Sequence, residues 1–394
     1  MFLCQRVPYP PDRGDRITTW NFIRHLSKSY DIYLFCLTSE TKNLKSVVPL
    51  TRCCKSLDIY YKSSWRSAFD SLLYLLFTQK PLSIGYYYLE KIKSGIEKLI
   101  SEKKIELIYA YSSNMFSHVY HLKHIKIIYH YADVDSEKWR KMATCGNFFM
   151  RLIYCLEYKR LRKWELLCQE SGVCSVFATE QEKELFRSIG ARGKLVTIKN
   201  GVDANYFRKG EDPQKENAIV FTGVMNYLPN VEAVLCFYRE VYPLLKIAMP
   251  NVKFYVVGSN PSKKITKLAA NDRNCFVTGY VDDVRVFMRK AKCFIAPIKV
   301  AQGMQNKILE ALAMEVPVVA YANIAAPLGL GESQGVVVVD NPEEMTQAIL
   351  RLLQSSELIA QLGKAGRKAM LEKYQWNKQL QILDNLVGSY IKKE

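Results

Sequence analysis

Short β-branched runs alternate with helical stretches along this chain, and the rhythm occurs twice, once on each side of a polar segment. Such alternation specifies parallel sheets covered by helices. In the first half it predicts strands at 2–5, 31–37, 107–111, 126–130, 175–178 and 196–199, with helices between them, among them 18–27, 92–102 and 148–170. In the second half it predicts strands at 219–221, 253–257, 276–278, 293–296, 318–320 and 335–338. Helices there begin near Pro229, Lys263, Val284, Gln305 and Pro342. The stretch from Arg208 to Asn217, rich in charge and broken by Gly210 and Pro213, reads as a linker. The expected fold class is therefore α/β, two tandem Rossmann-like doubly wound domains facing a central cleft. The expected boundaries are 1–207, a linker at 208–217, 218–376, and a final helix at 377–394.

Composition narrows the setting. No apolar run reaches the roughly 18 residues needed to span a bilayer, and the N-terminus lacks a charged-then-apolar leader pattern. The 11 cysteines are odd in number and scattered, with Cys53 and Cys54 adjacent, which suits a reducing cytoplasm better than a disulfide framework. Charge is lopsided: residues 1–200 hold 32 Lys and Arg against 19 Asp and Glu, out of a net +18 for the chain. A basic first half suggests an anionic partner or a merely solvated basic surface.

Glycines fall where a doubly wound domain places its ligand. Gly223, Gly258 and Gly279 each follow an expected strand, and Gly303 precedes the segment Met304 to Met314. That segment reads as a loop feeding a helix whose first turns carry Lys307 and Glu310, three residues apart and on one face. A helix start offers unpaired N–H groups to an anion. A phosphate suits the amides and the lysine, and a pair of sugar hydroxyls suits the carboxylate. On spacing alone, a surface ion pair over an apolar face is equally consistent. No G-x-G-x-x-G follows any expected strand, which argues against a nicotinamide or flavin dinucleotide.

These glycines, the Ala296-Pro297 strand end, Asn306-Lys307-x-x-Glu310-Ala311 and Pro317-Val318-Val319-Ala320 resemble a family 4 glycosyltransferase of GT-B architecture. Longer stretches are similar to a narrower group, the sugar transferases associated with PEP-CTERM/exosortase exopolysaccharide loci. They are Arg6-Val7-Pro8-Tyr9-Pro10-Pro11-Asp12-Arg13-Gly14-Asp15, Asp133-Val134-Asp135-Ser136-Glu137-Lys138-Trp139 and Asn200-Gly201-Val202-Asp203, with Phe221 to Val231 and Tyr374-Gln375-Trp376. The resemblance implies transfer of a hexosyl group from a nucleotide sugar to a glycan or lipid-linked acceptor, with retention, without a metal or other cofactor and without nucleic acid. It implies donor binding by the second domain, acceptor binding by the first, and a final helix returning to the first. Donor contacts are expected from Gly14, Arg16, Gly223, Asn226, Gly258, Val281, Gly303, Met304, Asn306, Lys307 and Glu310. Catalytic roles are expected at His130, Asp133 and Gln302.

The chain departs from the family pattern in two places. Of two glutamates eight residues apart, the second matches Glu310, which holds ribose hydroxyls in the family. The first, which faces the transferred sugar, is Gln302 here. An amide bonds a hydroxyl but sets no negative charge against a developing oxocarbenium ion. The bases expected after the first strand of the second half are missing between Val224 and Asn230. Phosphate charge then falls to Lys307, to Lys299 and to backbone amides. Gln302 also leaves open an alternative: a GT-B-shaped nucleotide-sugar-binding protein without transfer activity.

On the acceptor side, His130 and Asp133 are candidates for proton handling or substrate orientation, and Asp135 for these or for capping the next helix. His118, His121 and His124 lack the spacing of metal ligands. The segment 148–170 sets Phe148, Phe149, Leu152 and Leu156 beside Arg151, Lys159, Arg160 and Lys163. It reads either as a helix packed on the sheet or as a peripheral contact with anionic lipid at the inner face of the cytoplasmic membrane.

Overall fold

The computed structural model describes residues 1–39, 47–144, 148–210, 215–299 and 303–391. These fall into two compact units, Met1–Lys199 with Gln379–Glu394, and Asn200–Lys378.

The first unit is built on β1 (Phe2–Cys4), β2 (Tyr33–Thr38), β3 (Ser56–Tyr61), β4 (Leu107–Tyr111), β5 (Lys126–Tyr131), β6 (Cys174–Phe177) and β7 (Leu195–Thr197). Their order is β3-β2-β1-β4-β5-β6-β7, all parallel. The Leu-Ile-Tyr-Ala-Tyr run of β4 is buried throughout, as a strand covered on both faces requires. Seven strands replace the six expected. The additional one, β3, is an edge strand whose residues are at best half-buried. Ser56 and Asp58 made it too polar to read as a strand. The helices Ser64–Phe77 and Leu82–Tyr87 follow it.

The second unit contains β8 (Ala218–Thr222), β9 (Lys253–Val257), β10 (Cys275–Val277), β11 (Cys293–Ala296), β12 (Val318–Tyr321) and β13 (Val336–Val339). Its order, β10-β9-β8-β11-β12-β13, repeats that of the first sheet. In each sheet the chain winds one way from the central strand and then returns to wind the other way. The reversal lies between β1 and β4 in the first sheet and between β8 and β11 in the second. Crevices for ligands open there, outside the carboxyl ends of the strands.

Residues 200–207, expected with the first half, are grouped with the second unit. The Val202 amide donates to the Tyr374 carbonyl at 2.7 Å, and a Cβ on Gly201 would lie 2.7 Å from the Trp376 ring. The last helix runs from Trp376 to Gly388, and from Gln379 onward the chain belongs to the first unit. There Asp384 meets His25 at 2.6 Å, and the Tyr390 hydroxyl donates to the Val173 carbonyl at 3.0 Å.

Candidate functional site

At the reversal point of the second sheet, the segments leaving β8 and β11 carry most of the expected donor residues. The backbone turns at Gly223, whose amide donates to the Val257 carbonyl at 3.0 Å. Gly258 lies against that turn so closely that a Cβ there would sit 1.8 Å from the Gly223 carbonyl oxygen. Only glycine permits this approach. A Cβ on Gly223 would in turn meet Asn230 at 2.6 Å and the Lys307 ammonium at 3.1 Å.

After β11, Gly303 takes a φ of +68° and the helix Asn306–Ala313 begins without a capping side chain. The Ile308 amide donates to the Gln305 carbonyl at 3.0 Å, and the amides of Asn306 and Lys307 before it are those a helix start offers to an anion. Lys307 donates to Asn230 Oδ1 at 2.8 Å and stands 4.4 Å from the centroid of the Phe221 ring. Asn230 donates onward to the Val224 carbonyl at 3.0 Å. Asn306 Oδ1 accepts from Asn200 at 2.9 Å, while its own amide nitrogen is buried with no partner among the described residues. Glu310, one turn further on, is half-buried, and its carboxylate has no hydrogen bond or ion pair among the described residues.

Burial sets the charge of this cluster. It pushes Lys307 down to about 7 against the pull of Glu310, and it pushes Glu310 up to about 7 against the pull of Lys307. Each group can then change protonation near neutrality in response to an arriving partner. A cation, a carboxylate and an amide donor converge on one helical face, at spacings of three and four residues. A diphosphate suits the lysine and the helix amides, and vicinal hydroxyls suit the carboxylate.

Other donor candidates lie around this core. Met304 is buried at the start of the loop, and Val281 packs partly buried on the core beyond Gly279. Asn226 lies on an exposed turn, and Asn230, four residues on, sits beside Gly223 and Lys307. Lys299 is held at the surface by Glu240 at 3.0 Å and is not part of the cluster. Gln302 lies outside the described residues.

In the first unit, Gly14 opens the exposed start of the helix Gly14–Leu26. Arg16 bonds Asp12 at 3.0 Å, with its Nε buried and without a partner among the described residues. His130 is 1 % exposed, packed among Phe22, Tyr109 and Tyr111, with Nδ1 2.8 Å from the Tyr109 hydroxyl. Burial pushes it down to about 3. The enclosed, neutral ring stands at the end of β5, three residues before Asp133.

Asp133 is half-buried and pushed up to about 7 by burial and by the neighbouring charge of Asp135. Glu182 nearby is also pushed up, by burial and by Asp133. Asp135 is not the helix cap: Val134 holds that position, and Asp135, in the first turn, accepts from Ser113 at 2.5 Å. Glu165 is fully buried and bonds the Ser136 amide at 3.2 Å.

Several of these residues were not anticipated. Ser112 ends β4 at a φ of +76°, and its hydroxyl donates to Gln5 Oε1 at 2.5 Å. Asn114 donates to the same oxygen at 2.9 Å. This polar trio sits at the reversal point of the first sheet. Backbone strain of this kind is concentrated at functional sites, but a serine carries no such signal in sequence.

Residues 216–355 match the family described as Glycosyl transferases group 1. No curated protein matches the chain by sequence. Among solved structures, the chain is similar to sucrose-phosphate synthase (tll1590) from Thermosynechococcus elongatus, at 15% identity, TM-score 0.76 and 98% coverage of each chain. It is also similar to Anabaena Alr3699/HepE in complex with UDP and glucose, at 14% identity, TM-score 0.67 and 98% coverage of each. WaaG, a glycosyltransferase involved in lipopolysaccharide biosynthesis, gives 15% identity and TM-score 0.67, with 98% of this chain and 99% of that one covered. The fold is therefore GT-B, and the match to the glycosyltransferase group 1 model lies within the second unit.

Proposed function

We propose that the protein transfers a hexosyl group from a nucleotide sugar, bound by the second unit, to a glycan or lipid-linked acceptor bound by the first. One observation carries the reading. Within the glycosyltransferase group 1 domain, Lys307 and the Gly223–Gly258 turn offer a phosphate site, and the unpartnered Glu310 lies one helical turn away. In this reading Lys307 and the helix amides hold the diphosphate, and Glu310 accepts from the ribose hydroxyls. Asp133, poised near neutrality, orients or deprotonates the acceptor hydroxyl. The structural neighbour complexed with UDP and glucose supports a UDP-sugar as the donor.

The finer assignment is family 4, metal-independent, retaining, and serving exopolysaccharide-type synthesis alongside the PEP-CTERM-associated transferases. It rests on the sequence motifs. A lipid-linked acceptor would place the enzyme in the cytoplasm, at the inner face of the membrane, with the basic helix Phe148–Ser171 against anionic headgroups. Release of nucleoside diphosphate from a nucleotide sugar, dependent on a lipid or glycan extract, tests the reading. Gln302 favours a second reading, nucleotide-sugar binding without transfer, and tight donor binding with no turnover would support it.

A further inference from the structure

The helix Ser64–Phe77 carries its apolar side chains on the wrong face for a packed helix. Trp65, Phe69, Leu72, Leu73, Leu76 and Phe77 recur at helical spacing and are all exposed, Trp65 at 75 % and Phe77 at 78 %. The face turned inward holds Ser67, Asp70, Ser71 and Tyr74. An amphipathic helix normally does the reverse.

Polar anchors fix this phase. Lys62, whose side chain is 0 % exposed, pairs with Asp70 at 2.8 Å. The same ammonium donates to the carbonyls of Gly85 and Tyr88 at 2.9 and 2.8 Å. Ser71 donates to the Leu82 carbonyl at 2.9 Å. Tyr74 fills the space above Gly85, where a Cβ would lie 2.6 Å from its ring. Rolling the helix to bury its apolar stripe would leave the Lys62 charge buried and unpaired, at high cost. The outward stripe is thus locked in place.

A second exposed apolar stretch lies on a helix that touches this one. Arg160 of the helix Phe148–Ser171 donates to the Leu75 carbonyl at 3.2 Å. The same helix exposes Phe148, Phe149, Leu152 and Leu156 at its start. Cations flank both stretches: from 138 to 163 the sequence has eight Lys and Arg and one acidic residue, Glu157. Glu157 is buried, its carboxylate accepting from the Leu82 and Ser83 amides at 2.7 and 3.0 Å. Arg66, Lys80, Arg151 and Lys159 are exposed.

We propose that the outward face of Ser64–Phe77 inserts into an anionic lipid surface, with the start of Phe148–Ser171 beside it. This deepens the peripheral contact proposed above, rests on that reading for the nature of the surface, and makes the Trp65–Phe77 stripe its principal anchor. Among the described residues no helix is long and apolar enough to cross a membrane, so the contact is interfacial. Charge selects the occupant. Two copies paired face to face would bring like-charged rims together, whereas anionic headgroups complement the cations and the acyl boundary receives the aromatic side chains.

Vesicle flotation tests this, using phosphatidylcholine alone and phosphatidylcholine mixed with phosphatidylglycerol. The full chain should float with the anionic vesicles and release at high salt. Trp65→Ser/Phe77→Ser, altered only at exposed positions, should lose binding by roughly tenfold or more while keeping the wild-type melting temperature. If the double variant floats like the wild type, the stripe is not the anchor, although the peripheral reading survives. Absence of wild-type flotation would overturn both. A wild-type dimer that the double variant splits, seen by sedimentation velocity without vesicle binding, would reassign the face to a second copy.

Discussion

Lys307 and Asn230 meet at 2.8 Å, ammonium to amide oxygen, directly beside the Gly223 backbone. The lysine is therefore fixed before any ligand arrives, and burial has brought it down to about 7. An anion beside it favours the charged form. Nucleoside diphosphate binding should therefore take up a proton at Lys307 at and above neutral pH, set against release from Glu310 as its carboxylate accepts from the ribose. Glu310→Ala should show the lysine's uptake alone, with affinity falling as pH rises past 7. Calorimetry in buffers of different ionisation heat measures the uptake. Lys307→Ala should abolish it and weaken diphosphates far more than nucleosides, and equal losses for both would remove the lysine from the phosphate site.

Gly258→Ala should be severe. Its Cβ would fall 1.8 Å from the Gly223 carbonyl oxygen, a backbone atom that cannot swing aside. Overpacking of this kind costs about 1–3 kcal/mol or more, and the shift would open the turn beside Lys307. Chemical denaturation and donor titration should both register the loss.

Ser112 holds a φ of +76° at the end of β4. Ser112→Ala and Ser112→Gly both remove the hydroxyl bond to Gln5, but only glycine relieves the backbone. The glycine variant should be more stable than the alanine variant by about 1–3 kcal/mol. Equal denaturation midpoints would mean that the strand end is unstrained.

Asp133 gives a pH signature. Its folded-state pKa lies near 7, raised by burial and Asp135 above the unfolded value of 3.8. The native state therefore binds more protons than the unfolded chain between about 4 and 7, and stability from this group is lost as pH rises through that window. Asp133→Asn should melt higher than the wild type by a margin that is small at pH 5 and clearly larger at pH 8. A gap that does not widen with pH would place Asp133 in a more solvated setting.

Much of the fold was legible because parallel strands buried on both faces read as apolar runs; β4, β8 and β12 are such runs. The half-buried edge strand β3 was missed for lack of that contrast. The Ser64–Phe77 helix escaped notice for a related reason: its apolar stripe faces outward, and the residue that sets its phase, Lys62, gives no sign in sequence of being buried. The pairing of Lys307 and Glu310 on one helix and the glycine turn after β8 were readable from spacing and motif. Asn230 was not, since an asparagine two turns from a glycine becomes informative only once the helix brings it back. His130 was readable as a strand-end residue, but its enclosure among Phe22, Tyr109 and Tyr111 was not, since position at a strand end says nothing about which way the ring points.

The most direct test of the central claim is a thermal-shift panel of UDP-, GDP-, ADP- and TDP-sugars on the wild type and Glu310→Ala. At a hundredfold excess over Kd, a bound donor adds about 2.7 kcal/mol to the native state. One nucleotide class should raise the wild-type melting temperature. Glu310→Ala should weaken that donor by about 1.5–3 kcal/mol, the range for hydrogen bonds to a charged group. Flat curves for every donor on a folded wild type, or unchanged affinity in Glu310→Ala, would contradict the account.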